Sequence, residues 1–161
     1  MIVLTHSKSF FRRLCARFGH VKPKIFLFHN NEDKGPSICL DKGETLSYLT
    51  LIEENCQKGD PRSLETASNY LRKAIESVCF EFLLDKGVSF SKAQKLQNSG
   101  LQSSFGECES YGLPAVETGK LKSLLDASHG DSHAWSIVDT TPGGLRTGRK
   151  YVQDIYDVYL R

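Results

Sequence analysis

The chain has 161 residues, 39% of them hydrophobic and 25% charged, and a formal net charge of +2. That length suits one good core or two small ones, and the weak net charge excludes a strong global field for nucleic acid, so any RNA contact has to come from a local patch. No apolar run approaches the roughly 18 residues of a membrane span, and the five cysteines (Cys15, Cys39, Cys56, Cys79, Cys108) contain no CxxC pair, which argues against a zinc ribbon or a disulfide framework.

In chain order, Ile2-Val3-Leu4-Thr5 reads as a buried β-branched strand. Ser7 then serves as N-cap of a helix with Phe10, Phe11, Leu14 and Phe18 on one face, closed by Gly19. Residues 24–28 (KIFLF) form a second strand and Ile38-Cys39-Leu40 a short third one. Residues 1–42 are therefore expected to be a small α/β edge, with too few strands to bury both faces of a sheet.

From Glu44 onward the pattern is helical. Thr45 to Cys56 places Leu46, Leu49 and Ile52 at helical spacing. Gly59 breaks that helix, and Asp60-Pro61 supplies an N-cap and first-turn proline for a long helix to about Lys86, stopped by Gly87. A short helix follows from Ser89 to Leu96. The Gly- and Ser-containing stretch from Asn98 to Pro114 is expected to be a loop with local turns. Ala115 to Ser128 makes another helix, residues 130–144 a loop, and Leu145 to Arg161 a last helix with Val152, Ile155, Val158 and Tyr159 inward. The expected fold is mainly α: a helical bundle over 43–161 with a partial α/β end over 1–42. Cys79 falls on an apolar helix face and reads as a core filler. The first residues lack the features of a signal peptide, so a cytoplasmic protein with reduced thiols is expected.

On the long helix, at about 100° per residue, Leu64, Leu71, Ile75, Val78 and Phe82 fall within about 40° of one line. Arg72 and Glu76 sit at the border of that stripe, beside Cys79 and Leu83. Lys73 and Ser77 point further out, and Phe80 falls on the opposite side, where with Tyr70 it offers a second contact surface. Two readings of Arg72 and Glu76 stand side by side. One is an i,i+4 ion pair, for which Arg before Glu is the weaker order. The other is a functional pair in a seam between helices, because a border charge is partly desolvated and needs a partner or a purpose.

The run VLTHSKSFFRRL resembles the last core strand and switch-histidine region of ABC-type ATPase heads. The resemblance implies that His6, at a strand's carboxyl end, contacts a nucleotide's terminal phosphate across an interface; a turn-capping role for His6 is the plain alternative. No GxxxxGK[ST] loop, LSGG-like signature or apolar run ending in Asp-Glu is present, so this chain alone is not expected to hydrolyse ATP. It reads as the C-terminal end of such an ATPase, a fragment or the product of a split gene, with an ATPase subunit or a missing N-terminal portion as partner.

Arg72-x-x-x-Glu76, followed later by Ser128-His129-Gly130, resembles HEPN-type domains, most closely those fused to bacterial ABC-type ATPases, including the anticodon nucleases of phage defence. The resemblance spans roughly residues 60–161. The commoner HEPN signature, an Arg followed four to six residues on by a His, is absent, so the likeness is to the anticodon-nuclease variant. It implies Arg72, Glu76 and His129 as catalytic residues of an RNA-cleaving effector in anti-phage defence. It also implies an RNA substrate, possible only through local contacts, and a homodimer with the cleft at its seam. No metal or other cofactor is called for. His133, beside Trp135, is the second choice for the imidazole, and His129 followed by Gly130 also fits a plain helix end. Arg146, Arg149 and Lys150 form a basic cluster that suits either RNA phosphates or a solvated helix face. The alternative to a nuclease is a non-catalytic docking or dimerisation module of an ABC-type ATPase.

Overall fold

The computed structural model describes residues 26–31, 35–40, 44–126 and 136–160. The expected strand at 2–5, the helix after Ser7, and His6, His129, His133 and Trp135 lie outside the described residues. The chain divides into two units, Met1–Gly43 and Glu44–Arg161, each taken by itself.

In the first unit, β1 (Phe26–Asn31) and β2 (Gly35–Leu40) pair antiparallel, from Phe26 opposite Leu40 to Asn31 opposite Gly35. Pairing continues beyond the apolar residues through polar positions such as His29, Asn30 and Ser37.

The second unit is mainly helical, with six helices among the described residues: α1 (Glu44–Lys58), α2 (Pro61–Asp85), α3 (Phe90–Ser99), α4 (Leu101–Ser110), α5 (Ala115–Ser123) and α6 (Pro142–Tyr159). Two short strands, β3 (Leu125–Asp126) and β4 (Ser136–Ile137), pair antiparallel between α5 and α6. The long α2 is the centre; α1, α3, α4, α6 and β4 all pack on it. Its start follows from local chemistry. Pro61 lacks the N–H that a first turn cannot satisfy, and the Asp60 carboxylate accepts from the Ser63 N–H at 3.0 Å. Its end is equally local: Gly87 takes φ 81°, and the Val88 N–H returns to the Leu83 carbonyl at 2.9 Å.

Leu71, Ile75, Val78 and Phe82 are buried as the wheel predicts. Ser77 and Phe80, expected to face outward, are also buried. The reason lies outside α2: the Ser77 hydroxyl faces the Glu44 carboxylate at the start of α1, and α3 covers Phe80. Phe90 of α3 meets the Phe80 ring edge-on at 5.6 Å, and Tyr70 stacks on Tyr48 of α1 at 6.0 Å. Phe80 is core, and the second contact surface expected from Phe80 and Tyr70 is thereby corrected.

Four further expectations are corrected. The stretch expected as a loop contains α4, with Leu101, Ser104, Phe105 and Cys108 buried at helical spacing. Its Gly and Ser content disfavours a helix, but burial of Phe105 and Cys108 against the bundle overrides local propensity. The helix from Ala115 stops at Ser123 rather than Ser128, because Leu125 is buried as part of a strand pair with Ile137 and not as a helix face. The last helix begins at Pro142 rather than Leu145: Thr141 is its N-cap, accepting from the Gly144 N–H at 3.1 Å, so Pro142-Gly143-Gly144 is a first turn and not a breaker. On that helix Val152 and Ile155 are buried and Tyr159 meets Phe82 edge-on, but Val158 is 69% exposed, about a third of a turn away from the Val152 line.

Candidate functional site

Arg72 and Glu76 occupy the middle of α2, where its surface passes from fully covered to partly open. Glu76 Oε1 accepts from Arg72 Nε at 3.1 Å, and the side chains are 38% and 25% exposed. Just inside them lie Cys79 and Leu83, both buried. The bond engages only Nε of the guanidinium; its two Nη groups make no hydrogen bond with a described residue.

The element beside this stretch of α2 is the β3–β4 pair. β4 packs on α2, and the Val138 N–H donates to the Leu124 carbonyl at 3.0 Å. Leu124 and Leu71, the residue before Arg72, meet at the same point on α6, at Gly148. Segment 127–135, which carries His129 and His133, is bracketed by the paired residues Asp126 and Ser136. Both histidines, His129 of the expected catalytic set included, lie outside the described residues.

The expected RNA-contacting cluster divides. Arg146 Nε donates to Glu53 Oε1 of α1 at 3.3 Å, and Arg149 Nε donates to the Leu49 carbonyl, also of α1, at 2.9 Å. Both therefore clamp α6 to α1. Lys150 is exposed.

Sequence reading did not mark the open groove of about 470 Å³ between the end of α5 and the first turns of α6. Ser123, Leu124, Asp139, Thr141, Thr147 and Tyr151 contribute to its lining. The Thr141 side chain and backbone N–H both hydrogen-bond the Asp139 carboxylate and hold its pKa below the ordinary aspartate value. That carboxylate already supplies the negative charge that the N-terminus of α6 favours. The signal available in the sequence was Asp-Thr-Thr-Pro, a capping pattern rather than a catalytic one.

Two further thiol and carboxylate environments are perturbed. The Cys79 thiol is pushed up first by a hydrogen bond with the Cys108 thiol and then by burial. Glu109, on α4, accepts from Thr118 Oγ1 and from Lys122 Nζ of α5, which hold its pKa down. Among the described residues, no group of three or more His, Cys, Asp and Glu side chains is arranged to hold a metal ion, and no helix is long and apolar enough to cross a membrane.

No protein-family model matches the chain, and neither a curated protein nor a solved structure matches it.

Proposed function

We propose that this chain is a HEPN-like RNA-cleaving effector, tRNA-directed and linked to an ABC-type ATPase of phage defence, with Arg72, Glu76 and His129 as its reacting set. In this reading the His129 imidazole takes the proton of a ribose 2′-hydroxyl, or returns one to the leaving 5′-oxygen. The 2′-oxygen attacks the adjacent phosphorus, and Arg72 stabilises the extra negative charge that builds on the phosphoryl oxygens. Glu76 holds Arg72 in place. The products are a 2′,3′-cyclic phosphate and a 5′-hydroxyl. The observation that carries the reading is the Arg72–Glu76 bond: gripping the guanidinium through Nε alone leaves the Nη donors, on a partly exposed side chain, for a phosphate.

The second reading is a docking or dimerisation module without catalysis. Its support is that Arg146 and Arg149, the expected RNA contacts, are engaged by α1. His6 as a phosphate contact of a partner ATPase belongs to either reading.

Incubation of the purified chain with a tRNA pool in EDTA tests the nuclease. The expected result is fragments ending in 2′,3′-cyclic phosphate, with cleavage reduced at least about 100-fold by Arg72→Ala, Glu76→Gln or His129→Ala. A folded Glu76→Gln variant with full cleavage overturns the catalytic assignment. A folded wild type that cleaves no RNA, alone or with an ATPase partner, favours the docking module.

A further inference from the structure

Arg146, Arg149 and Lys150 of α6 form a basic cluster that the Arg72–Glu76 chemistry leaves unused. Their spacing puts all three on one face of the helix. α1 holds the two arginines at points one helical turn apart, because Leu49 and Glu53 follow each other at helical spacing there. Arg146 Nε donates to Glu53 Oε1 at 3.3 Å, and Arg149 Nε donates to the Leu49 carbonyl at 2.9 Å. In neither residue does an Nη group bond a described residue, so each guanidinium is fixed by one edge and keeps the other. The Arg146 side chain is 48% exposed, Arg149 is half-buried and Lys150 is exposed.

The charges do not balance within this face. Arg146 has the Glu53 carboxylate, but the partner of Arg149 is a neutral carbonyl, and Lys150 makes no ion pair among the described residues. A half-buried guanidinium without a counter-ion gains most from an oxyanion, and a phosphate accepts from two of its N–H groups at once. Arginine suits both tasks: Nε reaches the neighbouring helix and the Nη edge remains for a ligand. A lysine ammonium bonded to the Leu49 carbonyl has no second planar edge to offer. Being held by α1 therefore orients these arginines without using them up.

We propose that Arg149, with Arg146 and Lys150, forms a phosphate-binding site for the backbone of an RNA strand at the α1–α6 face. It rests on RNA as the substrate, and it adds where the strand is held and by which of its groups. Contacts to phosphate position a strand and carry no base preference, so the site takes RNA of any sequence.

Anisotropy of a fluorescent single-stranded RNA of about 15 nucleotides tests it, titrated in EDTA with the full chain carrying Glu76→Gln to suppress cleavage. Arg149→Lys keeps the charge and a donor for the Leu49 carbonyl but loses the Nη edge. It should weaken binding roughly 5- to 10-fold with little change in salt dependence. Arg149→Gln should weaken binding at least as much and lower the slope of log affinity against log salt by about one; Lys150→Gln should lower that slope likewise. Arg146→Lys supplies the same comparison if the Arg149 variants do not fold. Lysine variants that bind as tightly as their parent overturn the proposal. So does a parent that binds no RNA at low salt, or RNA displaced as readily by polyglutamate as by unlabelled RNA, which would mark a surface for an acidic protein. The nuclease reading fails separately: RNA held through these arginines but never cut by the chain with its native Glu76 would sink that reading and leave this one standing.

Discussion

Gly148 of α6 lies directly against Leu71 of α2: a Cβ built on it would sit 2.6 Å from Leu71 Cδ2 and 3.2 Å from Leu124 Cδ1. Both α-helices approach so closely because that position has no side chain. Leu124 in turn accepts from the Val138 N–H, so the same contact anchors the base of the β3–β4 pair one residue from Arg72.

Gly148→Ala is therefore expected to destabilise the bundle by about 1–3 kcal/mol through overpacking, after part of the loss is offset by alanine's helix propensity. Gly106→Ala is the matched control: nothing lies within 4 Å of its added Cβ, so it should stabilise by roughly 0.5–1 kcal/mol. Urea unfolding of the two variants measures both signs. Equal stabilisation by both substitutions would sink the close-approach argument.

The helical character of the bundle was legible because periodic apolar residues and capping chemistry agree: Asp60-Pro61 and Gly87 bound α2 in sequence and in structure. What was not legible depended on neighbours. Phe80 falls outside the wheel's core line, yet it is core because α3 folds back to place Phe90 on it. α4 has poor helix composition and exists because Phe105 and Cys108 need burial. Arg72 and Glu76 were found as a border pair, and their bond and partial exposure agree with the border position. Nothing in the sequence revealed that Arg146 and Arg149 reach across to α1, because partners about 100 residues away in sequence leave no local pattern.

The Phe80–Phe90 contact carries the attachment of α3. Phe80→Ala removes a side chain that is 5% exposed and should cost about 3–5 kcal/mol, with the loss of protection in hydrogen exchange concentrated in α3. Phe80→Leu keeps most of the volume and should cost less than half as much. If Phe80→Ala lowers stability by under about 1 kcal/mol, the ring is not a core element.

Arg72→Ala and Glu76→Gln are expected to behave in the opposite way. An i,i+4 pair with side chains 38% and 25% exposed contributes on the order of 0.3–0.5 kcal/mol, so each variant should melt within about 3 °C of wild type. That small cost is what makes them clean probes of RNA cleavage. A fall of more than about 10 °C in either would show that the pair is structural and would remove the basis for reading lost cleavage as lost chemistry.

Acid should weaken the bundle through three carboxylates with lowered pKa values. Ser63 holds Asp60 down through its side-chain and backbone hydrogen bonds, Thr118 and then Lys122 hold Glu109 down, and Thr141 holds Asp139 down. A carboxylate whose folded pKa lies below its unfolded value binds protons more readily when unfolded. Its stabilisation is complete above the unfolded pKa and is lost as pH falls through the folded one. The melting temperature should therefore fall as pH drops below about 4. The sharper measurement compares wild type with Asp60→Asn, since asparagine keeps an N-cap acceptor but not the charge. Wild type should melt higher at pH 7, by roughly 2–4 °C, and the gap should shrink once pH falls below the ordinary aspartate range, closing as pH passes through the lowered folded pKa of Asp60. A gap that persists unchanged at acid pH would mean that Asp60 acts at the start of α2 by shape and hydrogen bonding alone, with no contribution from its charge.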